Sequence, residues 1–184
     1  VITSLDLLEL PYTGPSANLY DPTKAIMKYL AFCESVKTPA HAVIETYEEI
    51  DTLPGNLQFP LFVKPAKAGD SLGVDDQSKA NNIDDLKKKV QSILDEFGSA
   101  LVEEYIDGRE FTVLVCGNED GRTCTSFKPV EYIFPEGFAF KTYALKTSEL
   151  HPNANIGVED PSLAAQLKSI AEQVFLSFNG VGYA

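Results

Sequence analysis

Apolar residues recur at helical spacing in three stretches of the chain. Ile26, Leu30 and Cys33 follow Asp21-Pro22, and the spacing predicts a helix over about 22–35, with Asp21 as cap and Pro22 at its first position. Leu86, Val90, Ile93 and Leu94 predict a lysine-rich helix that opens at Asp84 or Asp85 and stops at Gly98. Leu163, Leu167, Ile170, Val174 and Phe178 mark the inward stripe of a third, started by Asp160-Pro161 and ended by Asn179-Gly180. Between the first two, 42–44 reads as a short strand and 59–65 as a buried one closed by Lys64-Pro65. After the second helix, 101–106 reads as a strand, Asp107-Gly108 as a turn, and 111–115 as a further strand ended by Gly117-Asn118. The stretch 123–134 supplies another strand or two. The opening 1–20 contains Leu10-Pro11-Tyr12-Thr13-Gly14-Pro15-Ser16 and reads as a turn-rich entry loop. The last residues, 181–184, read as the start of a strand. A domain rarely ends by opening a buried strand, so the natural protein is expected to continue.

This pattern predicts an α+β chain, and the composition agrees. Of 184 residues, 44% are hydrophobic and 23% charged, enough for a core and against disorder. Fifteen Lys and Arg against 27 Asp and Glu give a net charge of −12, which disfavours general nucleic-acid binding but leaves room for a local cationic pocket. No apolar run approaches the roughly 20 residues of a membrane span, and no basic-then-apolar signal segment opens the chain. Cys33, Cys116 and Cys124 are odd in number and lack metal-site spacing, so they read as spectator thiols in a reducing, cytoplasmic setting.

The chemistry concentrates around lysines and acids. Lys64 lies near the end of an apolar strand, where a cation must be paired or must reach water. It is either an edge-strand lysine snorkelling outward or a phosphate-facing cation. The loop that follows, Ala66-Lys67-Ala68-Gly69-Asp70-Ser71-Leu72-Gly73-Val74, can present backbone N–H groups closely because Gly69 and Gly73 carry no side chain. It matches neither the Walker A nor the dinucleotide glycine pattern. Strand alternation puts Glu103 with Tyr105 on one face and Glu104 with Ile106 on the other. Glu103 and Glu110 then flank one turn, either as a solvated acidic edge or as acceptors for the amino and hydroxyl donors of an adenosine. Lys146 is by itself a surface lysine, with Lys141 its nearest competitor for an anion.

In this order the motifs resemble those of the ATP-grasp superfamily, and more closely the D-alanine–D-alanine ligases. The matching stretches are Pro11-Tyr12-Thr13-Gly14, Asp21 to Lys24, Phe59-Pro60-Leu61-Phe62-Val63-Lys64-Pro65-Ala66, the loop from Gly69 to Val74, Val102 to Val113, and Phe140 to Lys146. The resemblance covers nearly the whole chain. It implies a two-lobe ATP-grasp fold, incomplete at both ends: 1–15 a remnant of a substrate lobe, 16–102 the central small lobe, and 103–184 part of the C-terminal lobe. ATP would lie between the lobes. Lys24, Lys64 and Lys146 would meet its phosphates, and the loop carrying Gly69, Asp70, Ser71 and Gly73 would close over them. Glu103, with backbone of Tyr105 and Ile106, would read adenine, and Glu110 would bind ribose. Lys146 and Ser71 are the candidate catalytic residues.

The resemblance implies a ligase that activates a carboxylate as an acyl phosphate for attack by an amine, with ATP and a small amino-acid or carboxylate substrate as partners. Neither nucleic acid nor membrane is implied, and a homodimer is compatible. Magnesium would be bound by carboxylates and an Asn beyond Ala184, so no metal ligand is assigned within the chain, and the 184-residue piece is expected to be inactive alone. Asp70-Ser71 stands where D-alanine ligases show two serines, and Thr147 where they often show Tyr. These departures bear on the substrate end and leave open a second reading, a nucleotide-binding or regulatory module without ligation.

Overall fold

The computed structural model describes residues 1–12, 17, 22–147 and 154–184, leaving out the side chains of Lys146 and Thr147. The expected cap Asp21 and the Thr13-Gly14 pair lie outside the described residues. A first helix, α1 (Ile2–Leu7), forms where the reading put only an entry loop, and it buries none of its residues. The helix α2 (Lys24–Cys33) starts later than Pro22. Thr23 is extended, and its hydroxyl accepts the Ile26 N–H at 3.3 Å, so Thr23 takes the capping role.

Four antiparallel strands build the first sheet in the order β1 (His41–Ile44), β4 (Ala100–Glu104), β2 (Leu61–Pro65), β3 (Lys79–Ala80). β2 lies between β4 and β3, but β3 pairs only with Leu61 and Phe62, so at Lys64 the strand is paired on the β4 side, with Leu101. Alternation along β2 points Leu61, Val63 and Pro65 to one face, where α3 (Ile83–Phe97) packs. Leu86, Val90 and Ile93 of α3 are at most 1% exposed and close the core with Ile44, Leu61, Val63 and Val102. Each such side chain contributes about 1.5–3 kcal/mol by leaving water. The cap of α3 is Asn82, whose side-chain oxygen accepts the N–H groups of Asp84 and Asp85, both at 3.0 Å. The two aspartates expected as caps therefore sit inside the first turn, where their charge suits the helix N-terminus. Gly98 ends α3 in the left-handed region, as anticipated.

The opposite face of this sheet is set by register. Phe62 pairs with Glu103, Lys64 with Leu101, and His41 with Glu103, so Phe62, Lys64, His41 and Glu103 share a side away from α3. The strand β4 runs through Glu104, two residues beyond the expected lobe boundary at 102.

The remainder forms two small antiparallel ladders. One is ordered β5 (Glu110–Thr112), β8 (Val130–Tyr132), β9 (Asn155–Gly157), and the other pairs β6 (Val115–Gly117) with β7 (Cys124–Ser126). The single strand read over 111–115 is thus split, because β5 and β6 find different partners. A short helix, α4 (Tyr143–Thr147), follows β8. The long helix α5 (Pro161–Ser177) starts as read, with Asp160 accepting the Ser162 N–H at 2.9 Å. Its inward stripe is shorter than the spacing suggested: Ile170 is 45% exposed, and burial concentrates at Phe175 and Phe178 near β6. The last residues do extend the β6 edge, with Ala184 and Val115 exchanging backbone bonds of 2.9 and 3.0 Å. The three cysteines are free thiols. No helix among the described residues is long and apolar enough to cross a membrane.

Candidate functional site

A cavity of about 410 Å³ opens on the sheet face that carries Phe62, Lys64 and Glu103. This falls within the size range of small-molecule sites. The glycine loop forms one wall through Gly69, Asp70 and Ser71. The stretch Glu103–Ile106 forms another, with Glu110 beyond it. Lys24, Lys64 and Lys141 bring ammonium groups to the same space.

Most of the expected residues therefore converge. Lys24, Lys64, Gly69, Asp70, Ser71, Glu103, Tyr105, Ile106 and Glu110 all line this cavity. Gly73 does not. It has φ +73°, and a β-carbon there would meet Pro65 Cγ at 2.7 Å and Phe97 Cε2 at 2.8 Å, so it seats the loop on the core. The Lys146 side chain and residue 148 onward to 153 lie outside the described residues.

Local structure explains the wall. Asp70 and Ser71 both have positive φ, 52° and 57°, which turns the chain tightly. Leu72 N–H donates to the Gly69 carbonyl and Val74 N–H to that of Ser71, each at 3.0 Å. The loop is anchored at both ends. Lys24 Nζ donates to the Ala68 carbonyl, and Lys24 N–H donates to that of Ala66 at 3.4 Å. At the far end Tyr143 N–H donates to the Val74 carbonyl at 3.1 Å, tying α4 to the loop.

Glu103 is the electrostatic centre. Its side chain is 8% exposed, and its two oxygens are taken by two lysines: Oε1 by Lys64, and Oε2 by Lys28 at 2.7 Å. Burial favours the neutral acid, but the charges and hydrogen bonds of Lys64 and Lys28 outweigh it and hold the carboxyl below the usual carboxylate range. Lys28 was not expected in the site. The only signal for it was its position one turn after Lys24. Burial, and then the charge of Asp107, raise the Tyr105 phenol, so it stays neutral.

An aromatic cluster completes the cavity and was also not read from sequence. Phe62 and Phe140 meet edge to face with centroids 5.0 Å apart, and Tyr105 lies 6.1 Å from Phe62. Lys79 sits 4.0 Å over the Tyr105 ring. Lys141 stands 3.4 Å from Glu110 and 4.0 Å over the Tyr132 ring. Ring surface and lysine ammonium groups meet in one space, with Lys64 Nζ 5.8 Å from the Phe62 ring centroid, and such a lining suits a flat base joined to an anion.

The family model for the C-terminal part of D-alanine–D-alanine ligases matches residues 26–184. The chain belongs to the D-alanine–D-alanine ligase family. Among curated relatives, the D-alanine–D-alanine ligase of Bordetella petrii is 28% identical over 98% of this chain and 54% of its own length. That of Enterococcus faecalis is 29% identical over 97% of this chain and 52% of its own. The chain spans about half the length of these relatives. Among solved structures, the VanG D-Ala:D-Ser ligase of Enterococcus faecalis superposes with a TM-score of 0.74 at 19% identity, covering 97% of this chain and 51% of that one. The Helicobacter pylori D-alanine–D-alanine ligase gives 0.69, also at 19% identity, over 97% and 53%. The fold is that of the ATP-grasp enzymes. Among the described residues, no three His, Cys, Asp or Glu side chains gather as a metal site. The described residues do not by themselves make a magnesium site.

Proposed function

We propose that this chain is the nucleotide-binding part of an ATP-dependent carboxylate–amine ligase of the D-alanine–D-alanine ligase type. The carrying observation is the single cavity in which Lys24 and Lys64, the Phe62–Phe140 pair and the buried Glu103 meet. The adenine ring lies against Phe62 and Phe140, and Glu103 accepts from its amino group. Glu110 accepts from ribose hydroxyls. Lys24 and Lys64 lie along the phosphates, with the loop through Gly69, Asp70 and Ser71 folded over them and Lys146 reaching the terminal group. Ser71 faces the substrate end.

In the reaction, a carboxylate oxygen attacks the terminal phosphorus, ADP leaves, and an acyl phosphate forms. An amine then attacks the acyl carbon and expels phosphate. The lysines oppose the charge that shifts toward ADP. Magnesium, when bound, would supply further charge neutralisation. The acceptor is a small amino acid or related carboxylate. The 16–102 and 103–184 parts act as two lobes with ATP between them, and the working protein is cytoplasmic, in keeping with free thiols.

Calorimetric titration with ATP and magnesium tests this reading. Binding is expected for the unaltered chain, with at least a tenfold loss for Lys64→Ala. Absence of heat, or equal affinity for both proteins, would overturn it.

A further inference from the structure

We infer that Lys28 is a positioning residue that fixes base specificity by keeping Glu103 ionised while nucleotide is bound. The inference rests on the proposed ATP site and concerns a residue outside the cavity wall. Glu103 has one lysine on each oxygen, but the two lysines are not equivalent. Lys64 faces the cavity and is 24% exposed, so an incoming phosphate can draw it off Oε1. Lys28 is 11% exposed and does not line the cavity. It holds Oε2 at 2.7 Å and also donates to the Pro39 carbonyl at 3.3 Å, so it is braced on both sides.

When the phosphate takes Lys64, Oε1 is freed to face the base, and Lys28 is the remaining partner that keeps the buried carboxylate charged. An ionised carboxylate only accepts hydrogen bonds and therefore selects an amino group. A neutral carboxyl also donates, and so admits a base with a carbonyl at that position. Without Lys28, a buried carboxyl facing only the base takes up a proton more readily. The other charged and titratable groups around Glu103 are Lys64 on β2 and His41, its register partner on β1, with Lys24, Asp70, Glu104, Tyr105, Glu110 and Lys141 on the shared cavity wall.

The test compares ATP with ITP, which carries a carbonyl in place of the adenine amino group, by titration of the full chain between pH 6 and 8. The unaltered protein should prefer ATP by a constant factor across this range. In Lys28→Met that preference should fall about tenfold at pH 6 and recover as the pH rises. Lys28→Arg should restore the constant preference. His41 is unchanged in all three proteins, so the comparison isolates position 28. A merely structural role would weaken ATP and ITP alike. If Lys28→Met does not fold, Lys28→Gln serves in its place, with circular dichroism confirming structure. An unchanged, pH-independent ratio in a folded variant overturns the inference while leaving the ATP site standing. No ATP binding by the unaltered chain overturns both.

Discussion

Gly73 is seated against Pro65 so closely that a β-carbon built on it would come within 2.7 Å of the proline Cγ. The backbone there is left-handed, at φ +73°. Gly73→Ala combines the left-handed penalty with overpacking and should cost about 2–4 kcal/mol. Urea unfolding checks this. A change under about 0.5 kcal/mol, the scale of an ordinary surface substitution, would show that the loop has another way to rest on the core.

Asn82 caps α3 by accepting two backbone N–H groups. Asn82→Ala should destabilise the protein by about 1 kcal/mol, a drop of roughly 2–4 °C in Tm for a chain of this size. Asp84→Ala should cost less, because Asp84 contributes charge rather than a cap. A thermal melt that ranks the two the other way would return the cap to the aspartate.

The carboxyl of Glu103 is held below its ordinary range in the folded state, because its lysine partners outweigh burial. The unfolded chain therefore takes up this proton first as pH falls. The stabilisation is complete above the unfolded value and is lost as pH drops through the lower, folded one. Glu103→Gln should flatten the acid limb of a stability curve measured between pH 7 and pH 3. Asp120, which is exposed, and Glu131, which is half-buried, are shifted the same way and remain as a common background. Matching acid limbs in both proteins would remove Glu103 from this role.

Glu110 lines the cavity beside Lys141. If it accepts from ribose hydroxyls, the unaltered chain should bind ATP about tenfold more tightly than 2′,3′-dideoxy-ATP, the scale of a hydrogen bond to a charged group. Glu110→Gln should close most of that gap. A gap of the same size in both proteins would assign the ribose to other residues.

The helices were legible because their signals are local: the Leu86–Val90–Ile93 stripe, the Asp160-Pro161 start and the Gly98 stop all lie within one element. The loop from Gly69 and the acids Glu103 and Glu110 were legible as motifs, and they do converge on one cavity. What escaped depends on partners distant in sequence. Nothing near Val113 reveals that β5 will pair with β8 and β6 with β7. Lys28 gives no hint of Glu103, which reaches it from another element. Phe140 sits in an irregular stretch, and its meeting with Phe62 is a matter of topology. The helix α1 was missed because turn residues after it dominated the reading, although Ile2, Leu5 and Leu8 carry helical spacing.

The contact between Phe62 and Phe140 joins a strand of the first sheet to the segment leading into α4. Any widening of the cavity between these two segments would part the rings. The chain contains no tryptophan, so a single indole introduced at Phe140 would emit without background from any other. Separation of the two rings and arrival of a base could then be followed in real time from one fluorophore.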